Sequence, residues 1–421
     1  MYNGRYCVDD SINSQQQVIN PLKIQSSKSA CGTWSRVTTK WTILIVSTLT
    51  LLGCGGGGEG SKSGSGSQTA TGVFKDSNVS GLQYTSGAIS GITGTDGSFD
   101  YEIGKTITFS IGGVTIGSAN GDSTITPVDL VPSGRSSNRN VQNIVRFLMM
   151  LDSDGNPRNG IQITPAVREI AVTWSQVDFS TSSLSTALVS ISSDAATADS
   201  GIHILPNAIS AQVHIESTLS CTRAGAYIGN YTGGDNGTFG MYVNPKTRMV
   251  SGFAYSTDDN ERHKLLDNQP IAFTQKATFT SGITASGTVF TGEFTGADRI
   301  AGRWTDNITS LAGSFKGSRL GGTTAAKYRF SGTYEGNDFG VVSFDVDENN
   351  NITGYIYSIP KNERASLSGT LNNGQMKDVV TANGTAISGI LDTSTDQLVA
   401  SWADSQNADR INATGRGCQL N

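Results

Sequence analysis

Along residues 73–131 apolar and polar positions alternate with period two, as in Ile107-Thr108-Phe109-Ser110-Ile111 and Val114-Thr115-Ile116, and the alternation is broken at Asp96-Gly97 and Gly112-Gly113. Strict alternation punctuated by Asp-Gly and Gly-Gly predicts antiparallel hairpins. From 136 to 220 the period changes. Val141, Ile144, Val145, Leu148 and Met149 recur at three- and four-residue spacing, which predicts an amphipathic helix over 138–151. Shorter helices are expected over 165–172, 183–191 and 206–219, the first and last opening with Pro at the first helical position. After residue 225 the two-residue period returns and runs to the end of the chain.

That last stretch is duplicated. Gly229-Asn230-Tyr231-Thr232-Gly233 recurs as Gly332-Thr333-Tyr334-Glu335-Gly336, and Val250-Ser251-Gly252-Phe253-Ala254-Tyr255 recurs as Ile352-Thr353-Gly354-Tyr355-Ile356-Tyr357. Gly302-Arg303-Trp304 matches Ala400-Ser401-Trp402 further on. Short alternating segments separated by Gly, Asn or Asp turns predict one β-meander per copy, closed as a small barrel or packed as a sandwich. The aromatics Tyr227, Tyr231, Trp304, Tyr334 and Trp402 recur in register, and such repetition fits core packing better than a binding platform. Sugar stacking on Trp304 or Trp402 would require those rings to be exposed.

Composition supports this reading. Of 421 residues 51 are glycine and only 15 % are charged, too few charges and helix formers for a helical bundle. The fold class expected is mainly β with a small helical insert: an N-terminal β-sandwich-like domain followed by two duplicated antiparallel β-meander repeats. Boundaries fall at 73–135 (sandwich-like), 136–220 (helical), 221–321 (first repeat) and 322–421 (second repeat). The formal net charge of −5 argues against a nucleic-acid partner, because phosphate binding needs a basic face.

The segment before residue 73 reads as an address. Residues 41–53 are a 13-residue apolar run, shorter than the ~20 residues of a membrane-spanning helix and of the size of a signal-peptide core. Arg36 and Lys40 flank it, and Leu51-Leu52-Gly53-Cys54 closes it. That tetrad resembles the lipobox of bacterial lipoproteins. The resemblance implies cleavage before Cys54, lipid on its thiol, and Gly55 to Ser67 as a flexible tether. Gly rather than Asp after the lipidated cysteine implies delivery to the outer membrane, facing the periplasm or the cell surface. Residues 1–36 contain Asp9, Asp10 and a run of Gln that do not suit a signal peptide. Val37 is therefore expected as the true start. Within 54–72, Gly55, Gly57 and Gly60 match a dinucleotide fingerprint only by composition, since no strand precedes them.

Cysteine placement agrees with export. With Cys7 and Cys31 in the leader and Cys54 lipidated, Cys221 and Cys418 remain, and two cysteines in an oxidising compartment tend to pair. A bridge would staple the two ends of the duplicated region.

Candidate chemistry is sparse. Asp152, Asp154, Asn156 and Asn159 place oxygens on a turning loop that suits a hard cation, so calcium is the one cofactor the sequence suggests. Counting from Asp152, Pro157 and Ile163 stand where an EF-hand needs Gly and Glu, which excludes that motif; a capped turn explains the same residues. Asp345, Asp347, Asn349 and Asn351 repeat the alternate spacing, and a hairpin turn accounts for them. Neither a Gly-x-Ser-x-Gly elbow nor a His-Glu-x-x-His motif occurs, and the histidines are His203, His214 and His263. A catalytic role, were there one, would centre on His214 beside the helical insert.

Two family resemblances complete the reading. The order of Asp76, Val79 and Gly81, then Thr95-Asp96-Gly97 with Phe99 and Tyr101, resembles transthyretin-like and carboxypeptidase-regulatory-like sandwiches of exported bacterial proteins. The strand-and-turn order from Phe294 through Ile300, Gly302 and Trp304 to Phe315 and Gly317 resembles the barrels of surface lipoproteins of the transferrin-binding-protein B type. Together they imply a membrane-anchored lipoprotein with a non-catalytic, adhesin-like role toward a surface protein or glycan. The alternative is a secreted hydrolase or accessory factor.

Overall fold

The computed structural model describes residues 68–420 apart from 282–283, 285–286, 297, 323–325 and 404–409. The leader, Cys54 and the tether lie outside the described residues. What is described is mainly β, with the helices, one short 3-10 turn among them, confined to 139–223.

The first 150 described residues build one core from sheets and helices together. A three-stranded sheet joins Thr69–Phe74 to Ser98–Glu102 and, in parallel, to Thr124–Ile125; a four-stranded sheet runs Ile89–Ile92, Gln83–Ser86, Thr106–Ile111, Val114–Asn120. Gly112 takes the left-handed φ that the Gly112-Gly113 turn requires. Ile107, Phe109 and Ile111 point inward on alternate positions, as the two-residue period predicts. They meet Val141, Ile144, Phe147 and Leu148 of the helix Arg139–Met150, whose N-cap Asn138 accepts from the amide of Asn140. One cluster thus runs from Phe74 to Leu219.

The helices differ in detail from their sequence expectations. Pro165–Ala171 starts as predicted, with Thr164 as its cap. The stretch 183–191 divides into Leu184–Ala187 and Val189–Asp199. The last helix runs Ala208–Arg223, with Asn207 as N-cap in place of a start at Pro206, and it continues one turn past residue 219. That extra turn carries Cys221 and Arg223 on the helix.

The duplicated region forms two eight-stranded lobes of the same topology. In the second, the strands Tyr328–Glu335, Gly340–Val346, Asn351–Ser358, Glu363–Asn372, Gln375–Thr381, Ala386–Asp392, Gln397–Ala403 and Arg410–Gln419 close into a barrel. The first repeats the order from Gly225–Gly233 to Ala312–Arg319 but stays open between Arg262–Leu265 and Thr278–Thr280. In the barrel, Asn373 and Gly374 both adopt positive φ and form the tight hairpin that joins the matching strands. The first lobe has no Asn-Gly there. Its segment 266–277 contains Pro270, which cannot donate a ladder hydrogen bond, and turns toward the N-terminal unit. The amide of Ser136 donates to the carbonyl of Phe273, that of Gln275 to Gly134, and Arg223 donates to the carbonyls of Ala272 and Thr274. Docking replaces closure.

Both lobes are filled by their repeated aromatics. Tyr227, Tyr231, Trp304, Tyr334 and Trp402 are all buried, at 0–6 % exposure, so the two tryptophans are core residues and offer no sugar platform. Tyr231 packs edge-on against Trp304 (5.7 Å), as Tyr334 does against Trp402 (5.1 Å). A polar network repeats as well. Tyr231 and Ser256 both donate to Asp235 (3.0 and 2.7 Å), and Tyr334 and Ser358 both donate to Asp338 (3.5 and 2.8 Å). The lobes pack through Phe253, Leu320, Phe339, Val341 and Ile359. Arg262 stacks on Phe253 and Phe339 and pairs with Glu335 at the rim of that seam.

Candidate functional site

The N-terminal unit, the open lobe and the barrel enclose a cavity of about 540 Å³. Three local features build it. The bridge between Lys75 and Asn78 leaves Asp76-Ser77 as a tight turn, with Ser77 at φ +56° and its amide donating to Thr218 Oγ1 (3.2 Å). The helix Ala208–Arg223 places His214, Ser217, Thr218, Cys221 and Thr222 at three- and four-residue spacing, hence on one face. Arg319, Arg329 and Leu420 complete the wall from the lobes.

Its charge is unusual for an acidic chain. Lys75 Nζ donates to Asn78 Oδ1 and to the carbonyl of Leu420 (2.6 Å). Burial, and then the Arg329 charge, push its pKa down to about 8. Arg329 is paired with Asp345 at 2.8 Å. Arg319 donates to the carbonyls of Thr222 and Ala224 and lies over the Tyr227 ring. His214 Nε2 stands 3.3 Å from the Asp76 carboxylate and 3.2 Å from the Asp76 carbonyl. Burial works against the imidazolium, yet the Asp76 carboxylate outweighs it and leaves the pKa raised. This pair therefore stabilises the fold fully below pH ~6.5, and its contribution fades as pH rises through the higher folded value. Asp76 is wholly buried, and neither of its carboxylate oxygens has a well-directed hydrogen bond.

The sequence singled out His214 but missed Lys75, Arg319 and Arg329. Each sits in a strand or strand-edge stretch that reads as ordinary β alternation, and only the tertiary fold brings them together. His203 is structural: its ring bridges the carbonyl of Met150 (2.9 Å) and Asp199 (2.7 Å). His263 stands at the mouth of the open lobe, beside Tyr231 and Trp304.

The Asp-rich loop is ordered by its own side chains. Asp154 accepts from the amide of Asn156 and from Asn159 Nδ2, both at 2.8 Å. Asp152 is fully buried; its Oδ1 accepts from the amide of Gln162 (3.0 Å) and its Oδ2 has no partner. Burial pushes the Asp152 pKa up to about 6. Asp154, Asn156 and Asn159 are exposed, and among the described residues no three His, Cys, Asp or Glu side chains converge on a metal position. Likewise Asp347 accepts from the amides of Asn349 and Asn351 in a hairpin turn. A calcium role for Asp152, Asp154, Asn156 and Asn159 has a direct test. In EDTA at pH 8, Asp152→Asn should raise stability by about 2–3 kcal/mol, because it removes a buried charge and keeps an acceptor for Gln162. If the loop holds calcium, millimolar Ca²⁺ in place of EDTA should stabilise the wild type and not the variant; denaturant melts of both proteins read this out.

Cys221 and Cys418 come together across the cavity wall. Cys221 lies on the last helix turn and Cys418, fully buried, on the final strand. Both are thiols in this structure; the Cys418 thiol is pushed up by burial and by the neighbouring Cys221.

No family model matches the chain, and no curated protein matches it. Solved structures similar to it include a mutant of the vaccine antigen transferrin-binding protein B from Haemophilus parasuis Hp5 (11 % identity, 46 % of this chain and 75 % of that one, TM-score 0.17). Transferrin-binding protein B from serogroup B Neisseria meningitidis is similar at 12 % identity, over 44 % of this chain and 52 % of that one, with TM-score 0.16. A protein of unknown function from Nostoc punctiforme, of the DUF3598 family, is similar at 9 % identity over 48 % and 98 %, with TM-score 0.17. Among the described residues no helix is long and apolar enough to cross a membrane, which says nothing of strands.

Proposed function

We propose that this protein is a bacterial lipoprotein, anchored to the outer membrane through lipid on Cys54, that binds a surface protein or glycan through its β lobes without catalysis. The observation that carries the anchor is the order of the N-terminal segment: a 13-residue apolar run that ends in Leu51-Leu52-Gly53, then Cys54, then a Gly/Ser tether to Ser67, two residues before the first described strand at Thr69. A short apolar run with that ending suits export and lipidation better than a buried helix. The tether gives the folded part reach from the bilayer.

A hydrolase reading is weaker on the site's own geometry. The histidine that would serve it, His214, directs Nε2 at Asp76, and among the described residues no serine hydroxyl bonds its ring. The acid and the imidazole are present, but a nucleophile held by that imidazole is not.

The deciding experiment is intact mass of protein extracted from its native membranes, with Cys54→Ser alongside. A mass for a chain starting at Cys54 plus acyl groups, and transfer of the variant from the detergent phase to the aqueous phase, is the expected result. An unacylated chain retaining residues 1–53 overturns the anchor and the localisation together.

A further inference from the structure

We propose that the cavity between the N-terminal unit and the two lobes is a binding site for a small organic anion, held by its carboxylate or phosphate oxygens. This goes beyond the surface-binding role of the lobes and does not depend on lipidation. Four observations carry it. The volume, about 540 Å³, lies in the ~300–1,000 Å³ range of small-ligand sites. Cationic side chains line it: Lys75, Arg158 and Arg319, with Asp298 the one carboxylate in the lining, while Arg329 is already paired with Asp345 and His214 with Asp76. The Lys75 ammonium stands on neutral partners. It donates to an amide oxygen and a carbonyl, and among the described residues no carboxylate lies within ion-pair distance of it. An ammonium has three donors, so one remains for a ligand oxygen. Finally, Ser77, Ser217 and Thr218 bring hydroxyl-bearing side chains to the same cavity while Val73, Ala326 and Leu420 give an apolar wall.

Chemically this is an oxyanion site with a hydrocarbon side. A bound oxyanion would receive charge-assisted hydrogen bonds from Lys75 and would remove the cost of a buried, uncompensated ammonium. The depressed pKa of Lys75 is what a cation held without its counter-charge shows. Long-range attraction helps entry, because low-dielectric walls concentrate the field of the lining cations.

The experiment is isothermal titration of the full chain with inorganic phosphate and with citrate, against chloride at equal ionic strength, repeated on Lys75→Gln and on Arg158→Gln. Saturable binding of either probe to the natural chain is expected, weakened about tenfold or more by Lys75→Gln and several-fold by Arg158→Gln. Preference for citrate then assigns a polycarboxylate ligand, and preference for phosphate a phosphorylated one. Arg158 is exposed, so its variant decides the matter should Lys75→Gln fail to fold. Two results overturn the proposal: neither probe outperforms chloride, or both variants bind as the wild type does.

Discussion

Protein purified from its native membranes without reductant is expected to lose about two daltons relative to the reduced chain, and to lose several degrees of Tm when reduced. The basis for this is that Cys221, on the last helix, and Cys418, on the last strand, are close enough for each thiol to feel the other. An oxidising compartment turns such a pair into a disulfide. The closed loop would hold nearly 200 residues, so the chain-entropy account gives about 5 kcal/mol or slightly more, with native strain subtracting from it. Stapling these positions ties the helix Ala208–Arg223 to the barrel's closing strand, so the loss on reduction should fall on the barrel and on the cavity wall. Cys221→Ser, Cys418→Ser and the double variant should share the melting temperature of the reduced wild type. Two titratable thiols in the native, unreduced protein would show that no bridge forms.

The sequence exposed most of the architecture because the two periodicities are strong. Ile107, Phe109 and Ile111 mark a strand, and Val141, Ile144, Val145 and Leu148 mark a helix, in each case from spacing alone. The duplication was equally visible, because Tyr231, Gly252 and Trp304 have partners at nearly constant offset in Tyr334, Gly354 and Trp402. What spacing could not give is which lobe closes. Closure depends on one hairpin, Asn373-Gly374, and on its absence from the first copy, where Pro270 and Phe273 follow a different path to the N-terminal unit. Nor does alternation reveal that Asp235 and Asp338 each collect a tyrosine and a serine, since the serines lie some twenty residues further along. The cavity was the least legible part. Lys75, Arg319 and Arg329 are far apart in sequence and unremarkable locally; they meet only because the N-terminal strand, the end of the open lobe and the start of the barrel converge.

Replacing Trp402 by alanine is expected to destabilise the barrel by about 3–5 kcal/mol, and Trp304→Ala the open lobe by a similar amount. Each ring is buried and packs edge-on against the tyrosine of its own copy. Trp304 also donates from Nε1 to the carbonyl of Thr232 (3.2 Å), so its loss removes a hydrogen bond as well as volume. The closed barrel can relax less around the void than a sheet with a free edge, so the Trp402 void should collapse less and Trp402→Ala should fall at the upper end. Trp402→Phe, which keeps an aromatic ring against Tyr334, should cost well under half as much. Denaturant melts of the three variants measure this. The same proteins test the core assignment of the tryptophans against a sugar-stacking role. Binding to a glycan array at a temperature where every variant is folded should be unchanged by Trp402→Ala. A selective loss of glycan binding without loss of stability would instead place the ring at the surface.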